Sequence, residues 1–325
     1  MTKSALHYKD VCLVPKYSEV HSRQDISTRI VLGRSQYKVP VVPANMKAVI
    51  DFDTARWMSR NGYFYIMHRF DHDLVDDVVQ ANTEDWQTIS FSVGIRMSDK
   101  MNISKISKNS NLRVDFLTID IAHGHCERMK RMIKHIKEKL PDTKIIAGNV
   151  ATPEAVYDLA DWGADIVKVG IGQGNVCTTK DKTGFTMPMF SCVLECSDVI
   201  HNGEKVPVIA DGGIRSNGDI AKALVAGATL VMVGSMFSQC IDSPAANVVV
   251  DGRMYKQYFG SASEHNKGHK NHIEGVMKEI PSNGITYEQK LQEIKQDLQS
   301  AVSYAGSTSL SIKDLPQVDY RTQRL

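Results

Sequence analysis

The chain has little that would tie it to a membrane, a nucleic acid or an oxidising compartment. No apolar run approaches the roughly 20 residues of a membrane span, and residues 1–10 contain no apolar signal core. The six cysteines (Cys12, Cys126, Cys177, Cys192, Cys196 and Cys240) include no CxxC pair, and in a 325-residue chain without a leader they read as reduced thiols. These absences imply a cytoplasmic protein. Net charge is only +2, so there is no electrostatic argument for nucleic acid or membrane partners. Cys192 and Cys196, four apart in a helical pattern, read as small buried residues and not as metal ligands.

What is present is a repeat. Short runs rich in Val, Ile and Phe occupy residues 39–44, 63–67, 89–93, 114–119, 144–147, 166–169, 206–210 and 230–233, each closing on a Gly or polar residue at a turn. Most are near-continuously apolar, the pattern of parallel strands buried on both faces. Helical spacing fills the intervals, as at 127–140, 153–162 and 219–226. Eight such alternations predict an α/β fold of the (β/α)8 TIM-barrel class, whose functional site forms from the loops after the strands. Residues 163–170 (GADIVKVG) reappear two strand–helix units later as 227–234 (GATLVMVG). One barrel domain accounts for the chain, with an arm over 1–37, a core over 38–240, and a flap and helical tail over 241–325.

The seventh run leads into Asp211-Gly212-Gly213-Ile214-Arg215 and the eighth into Gly234-Ser235. Glycines there let backbone N–H groups close on an anion, and a following helix adds its positive end. The loops therefore predict a phosphate site, the alternative being that the glycines serve only the turns. Asp211, at the end of a strand, can meet a sugar diol or a proton, or simply close an ion pair in the barrel mouth. The sixth run leads into Gly170-Ile171-Gly172-Gln173-Gly174-Asn175-Val176-Cys177-Thr178-Thr179. Asn175 stands where GxGxxG needs its third glycine and no apolar helix follows, which excludes a dinucleotide fingerprint. The loop instead offers carbonyls suited to a monovalent cation, and a cysteine that can act as a nucleophile where neighbours favour its thiolate. Cys126, in Ala122-His123-Gly124-His125-Cys126, is the rival thiol.

At Cys177 the sequence resembles a known family. Residues 172–179, with Ile146-Ala147-Gly148-Asn149-Val150, Ile209-Ala210-Asp211-Gly212-Gly213, Tyr258-Phe259-Gly260-Ser261 and the N-terminal Tyr8-Lys9-Asp10-Val11-Cys12-Leu13-Val14-Pro15, look like the IMP dehydrogenase and GMP reductase superfamily. The motifs keep the family's order from about residue 8 to 281. The resemblance implies a cysteine, Cys177, that attacks C2 of a purine nucleotide. Between Arg253 and Arg321 no arginine occurs, so the tail cannot supply the Arg-Tyr pair with which the dehydrogenase branch activates water. Glu274-Gly275 followed by Glu279-Ile280-Pro281 matches the reductase branch instead, and the barrel leaves no room for the dehydrogenase's paired regulatory modules. That branch implies NADPH-dependent reductive deamination of GMP to IMP and ammonia, with Cys177, Thr179 and Glu274 catalytic. A dehydrogenase lacking regulatory modules and a non-catalytic nucleotide-binding barrel are the alternatives.

The resemblance also implies binding residues. GMP phosphate and ribose fall to Asp211, Gly212, Gly213, Gly234 and Ser235, with Asn175 and Tyr258 nearby, and the base to Gly260, Ser261 and Ala262. NADPH falls to Asp120, Ile121, Ala122, Ile171 and Gly172, with Ser22 and Arg23 reaching its adenosine half in a neighbouring subunit of a homotetramer. Carbonyls of Gly172, Gly174 and Cys177 would hold potassium. Ser261-Ala262 replaces a Met-Ser of the better-known reductases and Asn271-His272-Ile273 an Arg-Ala-Ser, which marks a divergent bacterial-type branch and leaves flap contacts open. His265, His269 and His272 lie among Lys267 and Lys270; the interrupting glycine and the lysine charges favour a solvated loop over a metal site.

Overall fold

The computed structural model describes residues 5–310 and 319–322, so parts of the expected arm and tail (1–4, 311–318 and 323–325) lie outside the described residues. Seven parallel strands form the central sheet, in the spatial order Val41–Pro43, Leu230–Val233, Val208–Asp211, Ile166–Val169, Lys144–Val150, Phe116–Asp120 and Ser90–Val93. The earliest of these pairs with the latest, Val41 opposite Val231, so the sheet curls into a barrel wall. Helices cover its outside and side chains fill its lumen, which is why strands such as Ile166–Val169 and Leu230–Val233 are buried at every position.

The second apolar run departs from the expectation of a full strand. Residues 63–67 form no ladder: Met67 alone bridges Phe91, donating its N–H to the Ser90 carbonyl at 3.1 Å. On the other side, Lys38 N–H donates to the Gly62 carbonyl at 3.0 Å. Phe64, Tyr65 and Ile66 are nonetheless fully buried. A side chain has replaced the ladder, because the Tyr65 hydroxyl donates to the Thr88 carbonyl at 2.7 Å and accepts the Ser90 N–H at 3.3 Å. The architecture is thus a (β/α)8 barrel in which seven strands are laddered and the eighth place is filled by packing.

The helices Glu127–Lys139, Pro153–Asp161 and Asn217–Val225 end close to their expected bounds. Side chains set their starts. Thr152 Oγ1 accepts the Ala155 N–H at 3.3 Å and Pro153 occupies the first turn, where its missing N–H costs nothing. Ser216 and Asp219 cap each other's backbone and start the next helix just beyond the Gly212-Gly213 loop.

The segment after residue 240 is not only flap and helix. Asn247–Val250, Arg253–Phe259 and Met277–Pro281 make an antiparallel sheet before the helix Tyr287–Tyr304. Lys256 fastens this sheet to the barrel: it is 1% exposed, and its ammonium donates to the carbonyls of Ile241, Ser243 and Ala245 at 3.1, 3.2 and 3.1 Å. Burial lowers its pKa, while the three carbonyls use its three donors. In the arm, Val11–Leu13 pairs with Tyr320–Thr322. Among the described residues no helix is long and apolar enough to cross a membrane.

Candidate functional site

A cavity of about 450 Å³ opens where the strands end, lined by Ala44, Asp120, Asn149, Gly170, Asp211 and Gly234 at or just beyond six of them. Lys168 lines it too, although it belongs to an otherwise apolar strand and is 2% exposed. Its ammonium lies 2.8 Å from Asp120 Oδ1 and 2.7 Å from Asp211 Oδ2. Room for the lysine comes from Gly148 in the next strand, where a Cβ would sit 2.6 Å from the Lys168 Cβ. Burial works against both charges of the Lys168–Asp120 pair. Their mutual attraction wins, leaving Asp120 below the usual carboxylate value and Lys168 above the usual ammonium value. Asp211 therefore does make the ion pair that its position allowed, and it lines the cavity as well.

The cysteine loop is held by close backbone approach. Gly170 has φ +130°, and a Cβ there would fall 2.0 Å from the Asp211 carbonyl oxygen, so no other residue fits. Cys177 N–H then donates to the Gly174 carbonyl at 3.1 Å, closing the turn that presents the thiol. The flap docks on this turn through backbone bonds, Thr178 N–H to the Glu274 carbonyl and Val276 N–H to the Val176 carbonyl, both at 2.9 Å. Side chains follow the backbone. The Cys177 thiol donates to Thr179 Oγ1 at 3.2 Å, and the Thr179 hydroxyl donates to Glu274 Oε2 at 2.7 Å. Lys182 donates to the Ile273 carbonyl and Lys278 to the Asn175 carbonyl, the latter at 2.8 Å, adding two cations to the junction.

The remaining residues named from sequence divide into two groups. Asn175, Gly212, Gly213, Gly234, Ser235, Tyr258, Gly260, Ser261 and Ala262 line the cavity, as do Ile121, Ala122, Ile171, Gly172 and Gly174. Gly234 gives way to Tyr258, whose hydroxyl would be 2.4 Å from a Cβ there; burial raises the pKa of that hydroxyl, with Asp211 and Cys177 adding to the effect. Ser22 and Arg23 do not line it. Arg23 donates to Ser300 Oγ at 3.2 Å and stacks its guanidinium 5.3 Å from the Tyr304 ring centre. Cys126 is also absent from the lining: it starts the helix Glu127–Lys139, and its neighbour His125 pairs with Asp158 at 2.8 Å. In the flap, His265 packs on Phe259 with ring centres 4.4 Å apart, and among the described residues no group of three or more His, Cys, Asp or Glu could hold a metal ion.

Several lining residues were assigned no binding or catalytic role from the sequence, among them Lys168, Asn149, Asn45, Arg69, Arg96 and Lys267. A lysine inside an apolar strand was a visible signal for the first. Arg69 lies in the loop after the run 63–67, which the strand pattern marked, but nothing in that loop's sequence distinguishes it from a solvated arginine. Asn149 Nδ2 donates to Asp211 Oδ2 at 2.8 Å and to the Gly170 carbonyl at 2.7 Å. Arg69 Nε and Asn149 Oδ1 are buried without a hydrogen-bond partner among the described residues, a donor and an acceptor left over for a polar ligand.

A family model described as the IMP dehydrogenase / GMP reductase domain matches residues 5–322. The chain is 47% identical over 315 residues to a protein named GMP reductase from Leptothrix cholodnii, covering 96% of this chain and 94% of that one. Proteins of the same name from Albidiferax ferrireducens and Mesoplasma florum are each 45% identical, over 97% of this chain and 95% and 97% of their own lengths.

Proposed function

The chain belongs to the IMP dehydrogenase / GMP reductase family, and on that premise we propose that it is an NADPH-dependent reductase converting GMP to IMP and ammonia in purine nucleotide interconversion. The observation that carries the reading is the contact chain from Cys177 through Thr179 to Glu274 in the cavity wall. GMP, NADPH and one proton give IMP, NADP+ and ammonia.

The Cys177 thiolate forms a bond to C2 of the purine as the C2=N3 π pair moves onto N3. Glu274, through Thr179, passes the one proton that the reaction consumes to the C2 amino group, and the pair on N3 re-forms C2=N3 as that group departs. The C2–N bond breaks and ammonia leaves, with C2 still joined to sulphur. NADPH, held along Asp120, Ile121, Ala122, Ile171 and Gly172, would supply the hydride that replaces the amino group at C2. The C–S bond then breaks with its electron pair returning to Cys177, and IMP is free to leave. Asp211 accepts from the ribose hydroxyls; Gly212, Gly213, Gly234 and Ser235 take the phosphate on backbone and hydroxyl donors; Gly260, Ser261 and Ala262 border the base.

The cofactor's residues are Asp120, Ile121, Ala122, Ile171 and Gly172, and the unpartnered Arg69 Nε and Asn149 Oδ1 in the same lining support a polar ligand there. Ser22 and Arg23 lie away from their own chain's cavity, so the proposal gives them the adenosine half of a cofactor bound to a neighbouring subunit of a homotetramer. For potassium, the proposed ligands are the carbonyls of Gly172, Gly174 and Cys177; that of Gly174 already accepts the Cys177 N–H and would use its second lone pair. A cytoplasmic location completes the proposal.

A spectrophotometric comparison of NADPH plus GMP with NAD plus IMP tests it. NADPH should be consumed only with GMP present, and ammonia should appear in equal amount. Formation of NADH and xanthosine monophosphate from IMP would establish the dehydrogenase instead, and binding of GMP without turnover would leave a nucleotide-binding barrel.

A further inference from the structure

We propose that Lys168 is a positioning residue that couples the nucleotide and nicotinamide sites through one shared ammonium. This rests on the reading above, in which Asp211 meets GMP and Asp120 meets the cofactor. Asp120 ends the strand Phe116–Asp120 and Asp211 ends the strand Val208–Asp211, and the two are separated by the strands Lys144–Val150 and Ile166–Val169. The side chain that spans this gap is Lys168, at 2.8 Å from one carboxylate and 2.7 Å from the other. Two negative charges thus share one buried positive charge.

The surroundings leave the lysine without a substitute. Arg69 adds a positive field at Asp120, but the titratable groups near Asp211 besides Lys168 include the buried hydroxyls of Tyr8 and Tyr258, which burial keeps protonated. Asn149 contributes an amide donor, not a charge. Gly148 is what allows the lysine to take this path, since any side chain there would collide with it. A ligand hydroxyl donating to Asp211 withdraws part of that carboxylate's hold on the ammonium, which then attaches more fully to Asp120. Occupancy of either site therefore changes the acceptor strength of the other, and the coupling must be equal in both directions.

Dissociation constants of GMP and of NADP+ measured separately by calorimetry on the full chain decide the matter, with circular dichroism as the check on folding. Lys168→Met is expected to weaken both ligands by about tenfold or more, and Lys168→Arg to keep both within about fivefold of the wild type. Asp120→Asn, which leaves Lys168 wholly to Asp211, is expected to weaken GMP by about threefold or more, and Asp211→Asn to do the same to NADP+. Should Lys168→Met fail to fold, the two aspartate variants decide alone. A Lys168→Met effect confined to one ligand overturns the coupling, as does an Asp120→Asn protein that binds GMP like the wild type. Wild-type protein that binds neither GMP nor NADP+ sinks the functional reading and the coupling with it, whereas binding of both without cross-site effects sinks the coupling alone.

Discussion

Thr179 Oγ1 lies 2.7 Å from Glu274 Oε2 across 95 positions of sequence, because the Thr178 N–H bond to the Glu274 carbonyl, at 2.9 Å, sets the flap in register with the cysteine loop. If this pair delivers a proton to ammonia, its loss should harm deamination and spare hydride transfer. Glu274→Gln should lower GMP turnover by about 10²-fold or more, the scale of a lost acid–base group. A 2-fluoro analogue of IMP, whose fluoride departs without a proton, should suffer much less. Equal loss with both substrates in single-turnover kinetics would mean that Glu274 holds the flap and moves no proton.

Cys177→Ala should abolish turnover while GMP binding stays within about tenfold, since in the proposed reading the binding energy comes from the ribose and phosphate loops. Cys126→Ala should be close to wild type. An active Cys177→Ala protein beside an inactive Cys126→Ala protein would assign the chemistry to the wrong thiol.

Two glycines with positive φ should respond differently to alanine. At Gly170 the new Cβ would lie 2.0 Å from the Asp211 carbonyl oxygen, and the backbone there cannot move without displacing the cysteine loop. Urea unfolding of Gly170→Ala should show a loss of roughly 3 kcal/mol or more. Gly184, φ +75° with nothing within 4 Å, should lose only about 1 kcal/mol, for the backbone alone. Similar losses at both would show that the close approach at Gly170 relaxes freely.

His68 is 7% exposed, and burial, with help from His72 and Lys47, lowers its pKa to about 4. An unfolded histidine titrates near 6.5, so between about pH 6.5 and pH 4 the unfolded chain binds the extra proton. The stability His68 contributes is complete above that window and is lost as the pH falls through it, by up to roughly 3 kcal/mol. Thermal melts against pH should therefore slope downwards across the window, and His68→Gln should flatten part of the slope. An unchanged slope in the variant would assign the effect to other groups.

The barrel and the thiol loop were legible because both are written locally. Continuous apolar runs such as 166–169 and 230–233 can be buried on both faces only in a covered parallel sheet, and the glycines around Cys177 are needed by a turn that few residues can make. The run at 63–67 had the same local signature and formed no ladder. The reason is a contact that no periodicity encodes, the Tyr65 hydroxyl taking the backbone groups of Thr88 and Ser90.

By itself, then, the sequence determined the strand–helix alternation and the loop that presents Cys177, since each depends on residues close together in the chain, whereas Glu274 could be singled out only through the resemblance to the family. The tertiary structure alone decided that Cys177 and not Cys126 reaches the cavity, that Arg23 lies on Tyr304 outside it, and that Lys168 stands between Asp120 and Asp211. Those outcomes follow from strand register and from the curl of the sheet, which bring together side chains from strands far apart in sequence, and such convergence has no local pattern to betray it.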